Sequence, residues 1–128
     1  MKWDETLRRL KRFFPKSVKE RLPGVIEIVA VNARVSRLLN KRYRKKNHAA
    51  NILSFKYGSR YGEIILCPEE IRRDARQYRN RYKDQCMWMI VHGMLHLSGM
   101  HHEKSHEVEK RFTRLEEKIL NKAGFLGA

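Results

Sequence analysis

Residues 85–102 read QCMWMIVHGMLHLSGMHH, from Gln85 to His102. Between Cys86 and Met100 there is no Lys, Arg, Asp or Glu, in a chain of which 34% is charged. Residues 87–91 and 94–97 are apolar on every side of a helical projection, apart from His92's neighbour one turn on, His96. A helix that is apolar all round belongs in a core. Yet two imidazoles four residues apart project from one face, one turn from each other. Gly99 then ends the helix, because glycine readily takes the left-handed conformation that closes one. His101 and His102 follow the turn at once.

His92, His96, Gly99 and His102 fall at positions 1, 5, 8 and 11 of a pattern. This is the metzincin spacing H-E-x-x-H-x-x-G-x-x-H, with Gly93 where the glutamate would stand. The spacing has a physical reason. Two histidines one turn apart reach one ion from a rigid helix, and a glycine turn brings a third imidazole back to it. Three neutral imidazoles leave a fourth zinc position open, the arrangement of a catalytic rather than a structural site. The bland alternative is two core histidines and a polar turn; three histidines with the turn glycine in place argue against it. His101 adjoins His102 and competes as a ligand, but the register from Gly99 favours His102. Gly93 has no side chain to take a proton, so the standard peptidase mechanism, with its glutamate base, is disfavoured.

The 128 residues have the size of one domain, 1–128, able to bury a core without disulfides. Cys67 and Cys86 lie in or beside apolar segments and read as buried free thiols, which suits a reducing compartment. No run of eighteen apolar residues occurs, so no membrane span is expected. The opening MKWDETLRRL lacks the apolar core of a signal peptide, and a cytoplasmic location is expected. The formal net charge is +15. Residues 1–64 hold 17 Lys/Arg against 5 Asp/Glu, and residues 65–128 hold 12 against 9, so the excess lies in the N-terminal half. A basic surface beside a metal site predicts a polyanion as substrate or partner, with RNA or DNA first.

Along the chain, Trp3, Leu7, Leu10 and Phe13/Phe14 recur at helical spacing up to Pro15. Ser17–Leu22 has room for one short turn. Val25–Val31 is a β-branched strand bounded by Pro-Gly and Asn32. Ser36 reads as the N-cap of a helix running to Arg44. That helix holds a basic cluster, Arg37, Lys41, Arg42 and Arg44, with Tyr43 inside it, which continues through Lys45 and Lys46 into a polar loop. Asn51–Tyr57 and Glu63–Cys67 read as antiparallel strands about the turn Gly58–Gly62. Pro68 opens an amphipathic helix reaching Arg81, the histidine helix follows Lys83-Asp84, and Ser105–Ala123 is a final helix closed by Gly124. The expected class is α+β: a small mixed β-sheet packed with helices, with the metzincin-like histidine helix at the core.

Taken together, three segments resemble the YbeY family of metal-dependent endoribonucleases. HGMLHLSGMHH is similar to that family's H-G-x-L-H-L-x-G-x-D-H. LNKRYRKKNHAANILSF, residues 39–55, is similar to L-N-x-x-[YF]-R-x-K-x-x-x-T-[ND]-V-L-S-F, and GEIILC, residues 62–67, to G-D-I-x-[IL]-[CS]. The segments come in the family's order and cover most of residues 39–102. Three positions depart from the pattern: His101 replaces an aspartate, Ala50 a threonine, and Lys56 a proline.

The resemblance implies a zinc-dependent, single-strand-specific endoribonuclease of ribosomal RNA maturation and ribosome quality control. His92, His96 and His102 would bind one zinc ion, and metal-activated hydroxide, or a 2′-hydroxyl activated by the metal, would be the nucleophile. Arg44 would stabilise the phosphoryl transition state, since a guanidinium can fork to phosphate oxygens. From their charge rather than from the resemblance, Arg42, Lys45, Lys46 and Lys56 are read as holding the RNA backbone. The partners implied are single-stranded RNA, ribosomal RNA or the small ribosomal subunit, with no membrane. Two other readings stand beside it. One is a non-catalytic RNA- or ribosome-binding module with a structural zinc. The other is a zinc peptidase-like hydrolase without its usual base.

Overall fold

The structure is a computed structural model and describes residues 3–100 and 105–125. Its elements run α1 (Trp3–Lys11), α2 (Lys16–Lys19), β1 (Val25–Ala30), α3 (Ala33–Arg44), β2 (Ile52–Lys56), β3 (Tyr61–Leu66), α4 (Pro68–Tyr78), α5 (Tyr82–Leu97) and α6 (His106–Ala123). The three strands form one mixed sheet in the order β1-β3-β2. β2 pairs antiparallel with β3, Ser54 opposite Ile64, as the hairpin pattern predicts. β1 pairs parallel with β3, Ile28 opposite Ile64, and the chain makes the crossover through α3 and β2. This is the expected α+β arrangement of helices on a small mixed sheet.

α5, which carries the two histidines, lies against β2 and β3 and is flanked by α4 and α6. Met87, Ile90, Val91, Met94, Leu95 and Leu97 are all buried on it. Each such side chain contributes roughly 1.5–3 kcal/mol relative to exposure. Packing therefore fixes this helix, and weak local propensity hardly matters. α5 starts at Tyr82, earlier than the sequence suggests. Asp84 lies buried in its first turn, where the Arg81 Nε donates to Asp84 Oδ2 at 2.9 Å. At the other end Gly99 has φ +94, the left-handed closure expected of it, and its N–H donates to the His96 carbonyl at 2.9 Å.

Gly93 marks a close approach. A Cβ there would come within 2.9 Å of Ile52 Cδ1, 3.1 Å of Ser54 Oγ and 3.3 Å of Ile64 Cδ1. The position that holds the glutamate in the metzincin pattern is thus the point where α5 presses on β2 and β3.

The cap of α3 differs from the sequence expectation. Asn32 caps it, accepting from the Val35 N–H at 2.9 Å. Ser36 is buried inside the helix, where its hydroxyl donates to the Ala50 carbonyl at 2.7 Å and accepts from the Ala50 N–H at 2.9 Å. Asn40, also buried, donates through Nδ2 to the His48 carbonyl at 2.9 Å. These two polar side chains pin the loop between α3 and β2, and so set where Arg44 and Asn51 stand.

β3 begins at Tyr61 rather than Glu63, because the register carries the hairpin ladder out to Lys56 opposite Gly62. α4 closes at Tyr78, with Arg79 left-handed at φ 56, before the expected Arg81. Cys67 and Cys86 are buried free thiols, and burial pushes the Cys86 thiol up from its ordinary pKa. Among the described residues, no helix is long and apolar enough to cross a membrane.

Candidate functional site

His92 and His96 are half-buried on the face of α5 that opens between β2 and α6. Their rings lie 4.7 Å apart, centroid to centroid, and their Nε2 atoms converge to 3.1 Å. Phe112 of α6 packs against both, at 5.0 Å from His92 and 5.2 Å from His96, so neither ring turns freely. On its far side the His92 Nδ1–H donates to Glu116 Oε2 at 2.7 Å. Glu116 is itself buried. That bond fixes the tautomer and turns Nε2 toward the cleft.

Two imidazole nitrogens facing each other need a proton or a cation between them. Two zinc–nitrogen bonds of 2.0–2.1 Å at a tetrahedral angle place the nitrogens about 3.3 Å apart. The 3.1 Å convergence fits that spacing closely. The carboxylate behind His92 is the outer partner that metal-bound histidines usually have. Among the described residues, no group of three His, Cys, Asp or Glu is placed to hold a metal ion. The third expected ligand, His102, and its neighbour His101 lie outside the described residues.

The histidines line a cleft of about 540 Å³ together with Tyr43, Arg44, Asn51, the strand β2, Leu97 and Gly99. Arg44 is the last residue of α3, exposed, and lines this cleft. Lys56 lines the same cleft from the end of β2. Lys46 lines an adjoining depression of about 290 Å³ that also has Arg44 on its wall, so Arg44 borders both. The Arg42 guanidinium is 5.5 Å from the centre of the Tyr43 ring. Lys45 is exposed and left-handed, at φ 57, where α3 ends. The structure thus brings His92, His96, Arg44 and Lys56 to one cleft, with Lys46 next to it and Arg42 beside the Tyr43 ring.

Glu116 was not foreseen. It occupies the apolar stripe of α6, with Phe112 four residues before it and Ile119 and Leu120 just after. A single carboxylate on an otherwise buried stripe is the signal that could have found it, since such a group must have a partner.

A sequence profile described as Endoribonuclease YbeY matches residues 1–124. An Endoribonuclease YbeY from Aquifex aeolicus is 37% identical over 92 residues, covering 67% of this chain and 61% of that protein. One from Polynucleobacter asymbioticus is 35% identical over 108 residues, covering 81% of this chain and 69% of that protein. This chain therefore spans somewhat under two thirds of the Aquifex protein's length. A solution structure of a Thermotoga maritima protein superposes with a TM-score of 0.59 at 24% identity, covering 95% of this chain and 86% of that one, a likeness of fold.

Proposed function

Because the chain belongs to the YbeY endoribonuclease family, we propose that it is a zinc-dependent endoribonuclease that cuts single-stranded ribosomal RNA during its maturation. The observation that carries this is the shared cleft: converging imidazoles on one wall, with Arg44 and Lys56 on the same cavity. Neutral imidazoles suit zinc, and His92, His96 and His102 would hold one ion. When bound, that ion supplies Lewis acidity, acidifying a water and polarising a phosphoryl oxygen.

The chain's own residues do the rest. Glu116 holds the His92 Nδ1 proton, so the ring keeps its lone pair on Nε2. Phe112 keeps both rings in place. Arg44 forks to two phosphate oxygens and stabilises the charge that builds on them. Arg42, Lys45, Lys46 and Lys56 bind the backbone on either side, and the basic N-terminal half extends that track. Gly93 offers no base, which counts against peptide hydrolysis.

Purified protein, with and without chelator, should cut single-stranded RNA only in the metal-loaded form and leave duplex RNA and casein intact. Arg44→Glu is expected to lower cleavage about 10- to 100-fold at saturating RNA, toward the scale of losing one transition-state donor. Arg42→Glu makes the same charge change but should be restored by excess RNA. Equal losses in both variants, both restored, would reduce Arg44 to one cation among several and favour the binding-module reading.

Glu116→Ala is expected to weaken zinc affinity about 10- to 100-fold, the usual effect of removing an outer partner of a ligand histidine. Glu116→Gln, which still accepts from Nδ1, should lose much less. Competition with a chromogenic chelator reads both. Identical affinities in Ala and wild-type protein would show that Glu116 only packs.

A further inference from the structure

We propose that Tyr43 and Phe55 form a nucleobase-binding subsite at the edge of the metal cleft, and that this subsite makes the cleft select an unpaired nucleotide. The proposal rests on the RNA reading of the cleft and deepens it.

Both rings line the cleft that holds His92, His96 and Arg44. Tyr43 is in the last turn of α3, immediately before Arg44, and Phe55 is on β2. Their ring centroids are 5.3 Å apart at 66°, an edge-to-face pair. A strand residue thus props the tyrosine ring, and the Arg42 guanidinium lies over one face of it, 5.5 Å from its centre. Even so, Tyr43 remains 57% exposed. A propped aromatic surface, held still but open to solvent, is a platform that needs little further ordering to bind a flat ring.

The division of the cleft matches the anatomy of a nucleotide. The imidazoles and Arg44 offer cationic and metal chemistry for a phosphodiester. The aromatic pair offers a π-surface for the base attached to it. Stacking of this kind accepts any base, because every base has a π-face. In a duplex both faces of a base are already stacked and its edge is paired, so it cannot turn onto the tyrosine. The platform thereby discriminates single from double strand without reading sequence. Were Tyr43 only a cover for Phe55, a leucine there would serve as well.

The test uses the full chain and a short 2′-O-methyl RNA single strand, labelled for fluorescence anisotropy. The strand is used intact and with one abasic position moved along it. Tyr43→Leu should weaken binding of the intact strand about fivefold to 100-fold, and Tyr43→Phe should keep nearly all of it. One abasic position should weaken binding by wild-type protein by a similar factor, and on that strand Tyr43→Leu should cause no further loss. Zinc content should be the same in all three proteins. Three results overturn the subsite: undiminished binding by Tyr43→Leu, an equal loss in Tyr43→Phe, or a Tyr43→Leu loss that is the same on every abasic strand. If wild-type protein cuts RNA in a chelator-sensitive way while Tyr43→Leu is indifferent, the subsite alone is wrong. If wild-type protein does not bind the single strand, the RNA reading falls with it.

Discussion

His96→Ala is expected to remove most of the bound zinc and to bring RNA cleavage down to that of chelator-treated protein. His96 is in the middle of the proposed site: its Nε2 meets that of His92 at 3.1 Å, and Phe112 packs behind it. Deleting one of three ligands leaves too few for a catalytic zinc site. The loss in affinity should exceed the roughly 10- to 100-fold expected for an outer partner such as Glu116. The fold should survive, because the ring is half-buried and the apolar core of α5 lies on its other faces. Metal analysis of the purified variant, alongside its thermal transition, separates lost ligation from lost structure. A folded His96→Ala protein that keeps about one zinc per chain would falsify the site. His101→Ala serves as the control and should retain the metal; if it is the variant that loses zinc, the third ligand is His101.

The second large effect concerns stability. Gly93→Glu would restore the residue that zinc peptidases carry at this position. It is expected to destabilise the protein by about 3–5 kcal/mol, the scale of an unpaired charge placed in a core. Domains of this size have only about 5–15 kcal/mol in hand. The reason is the contact between α5 and the sheet. A Cβ alone would approach Ile52 Cδ1 to 2.9 Å and Ser54 Oγ to 3.1 Å. Gly93→Ala should be milder. Its overpacking, about 1–3 kcal/mol, is opposed by roughly 1 kcal/mol of gained helix propensity, and the atoms it meets are ends of side chains. Urea denaturation of the three proteins gives the comparison. Should the glutamate variant unfold at the same midpoint as the alanine one, the carboxylate has found its way out to the cleft and the packing argument fails. No casein hydrolysis is expected in either case.

Much of the site was legible because it is local. Two histidines one turn apart on an uncharged segment, followed by Gly99, specify a buried helix, a shared face and a stop. Gly99 at φ +94 and the antiparallel pairing of β2 with β3 follow from those patterns. What was not legible depends on partners far away in sequence. Ser36 looks like a helix cap by its chemistry, but its hydroxyl is taken up by Ala50, and Asn32 supplies the cap. Both residues are good caps locally, and only the return of the loop decides between them. Glu116 is 24 residues from the histidine it orients, so no window around either one joins them. Gly93 was read as a missing base. The structure adds a steric reason for glycine there, which depends on β2 and β3 lying close by.

The two halves of the cleft differ in how they are anchored. The His92 and His96 imidazoles are borne by a helix wedged among a sheet and two other helices, whose amides are expected to be among the slowest of the chain to exchange with solvent. Arg44 is instead at the frayable end of α3, beside a loop pinned by Ser36 and Asn40. That loop is held by the Ser36 and Asn40 hydrogen bonds, and the helix end beside it by the contact of Tyr43 with Phe55. The His92 and His96 rings therefore rest on the most deeply buried part of the fold, whereas the Arg44 wall rests on a helix end and a loop nearer the surface. Under the proposed function, a substitution that loosens the Ser36–Ala50 or Asn40–His48 contact is expected to displace Arg44 and lower RNA cleavage while leaving the two imidazoles where they stand.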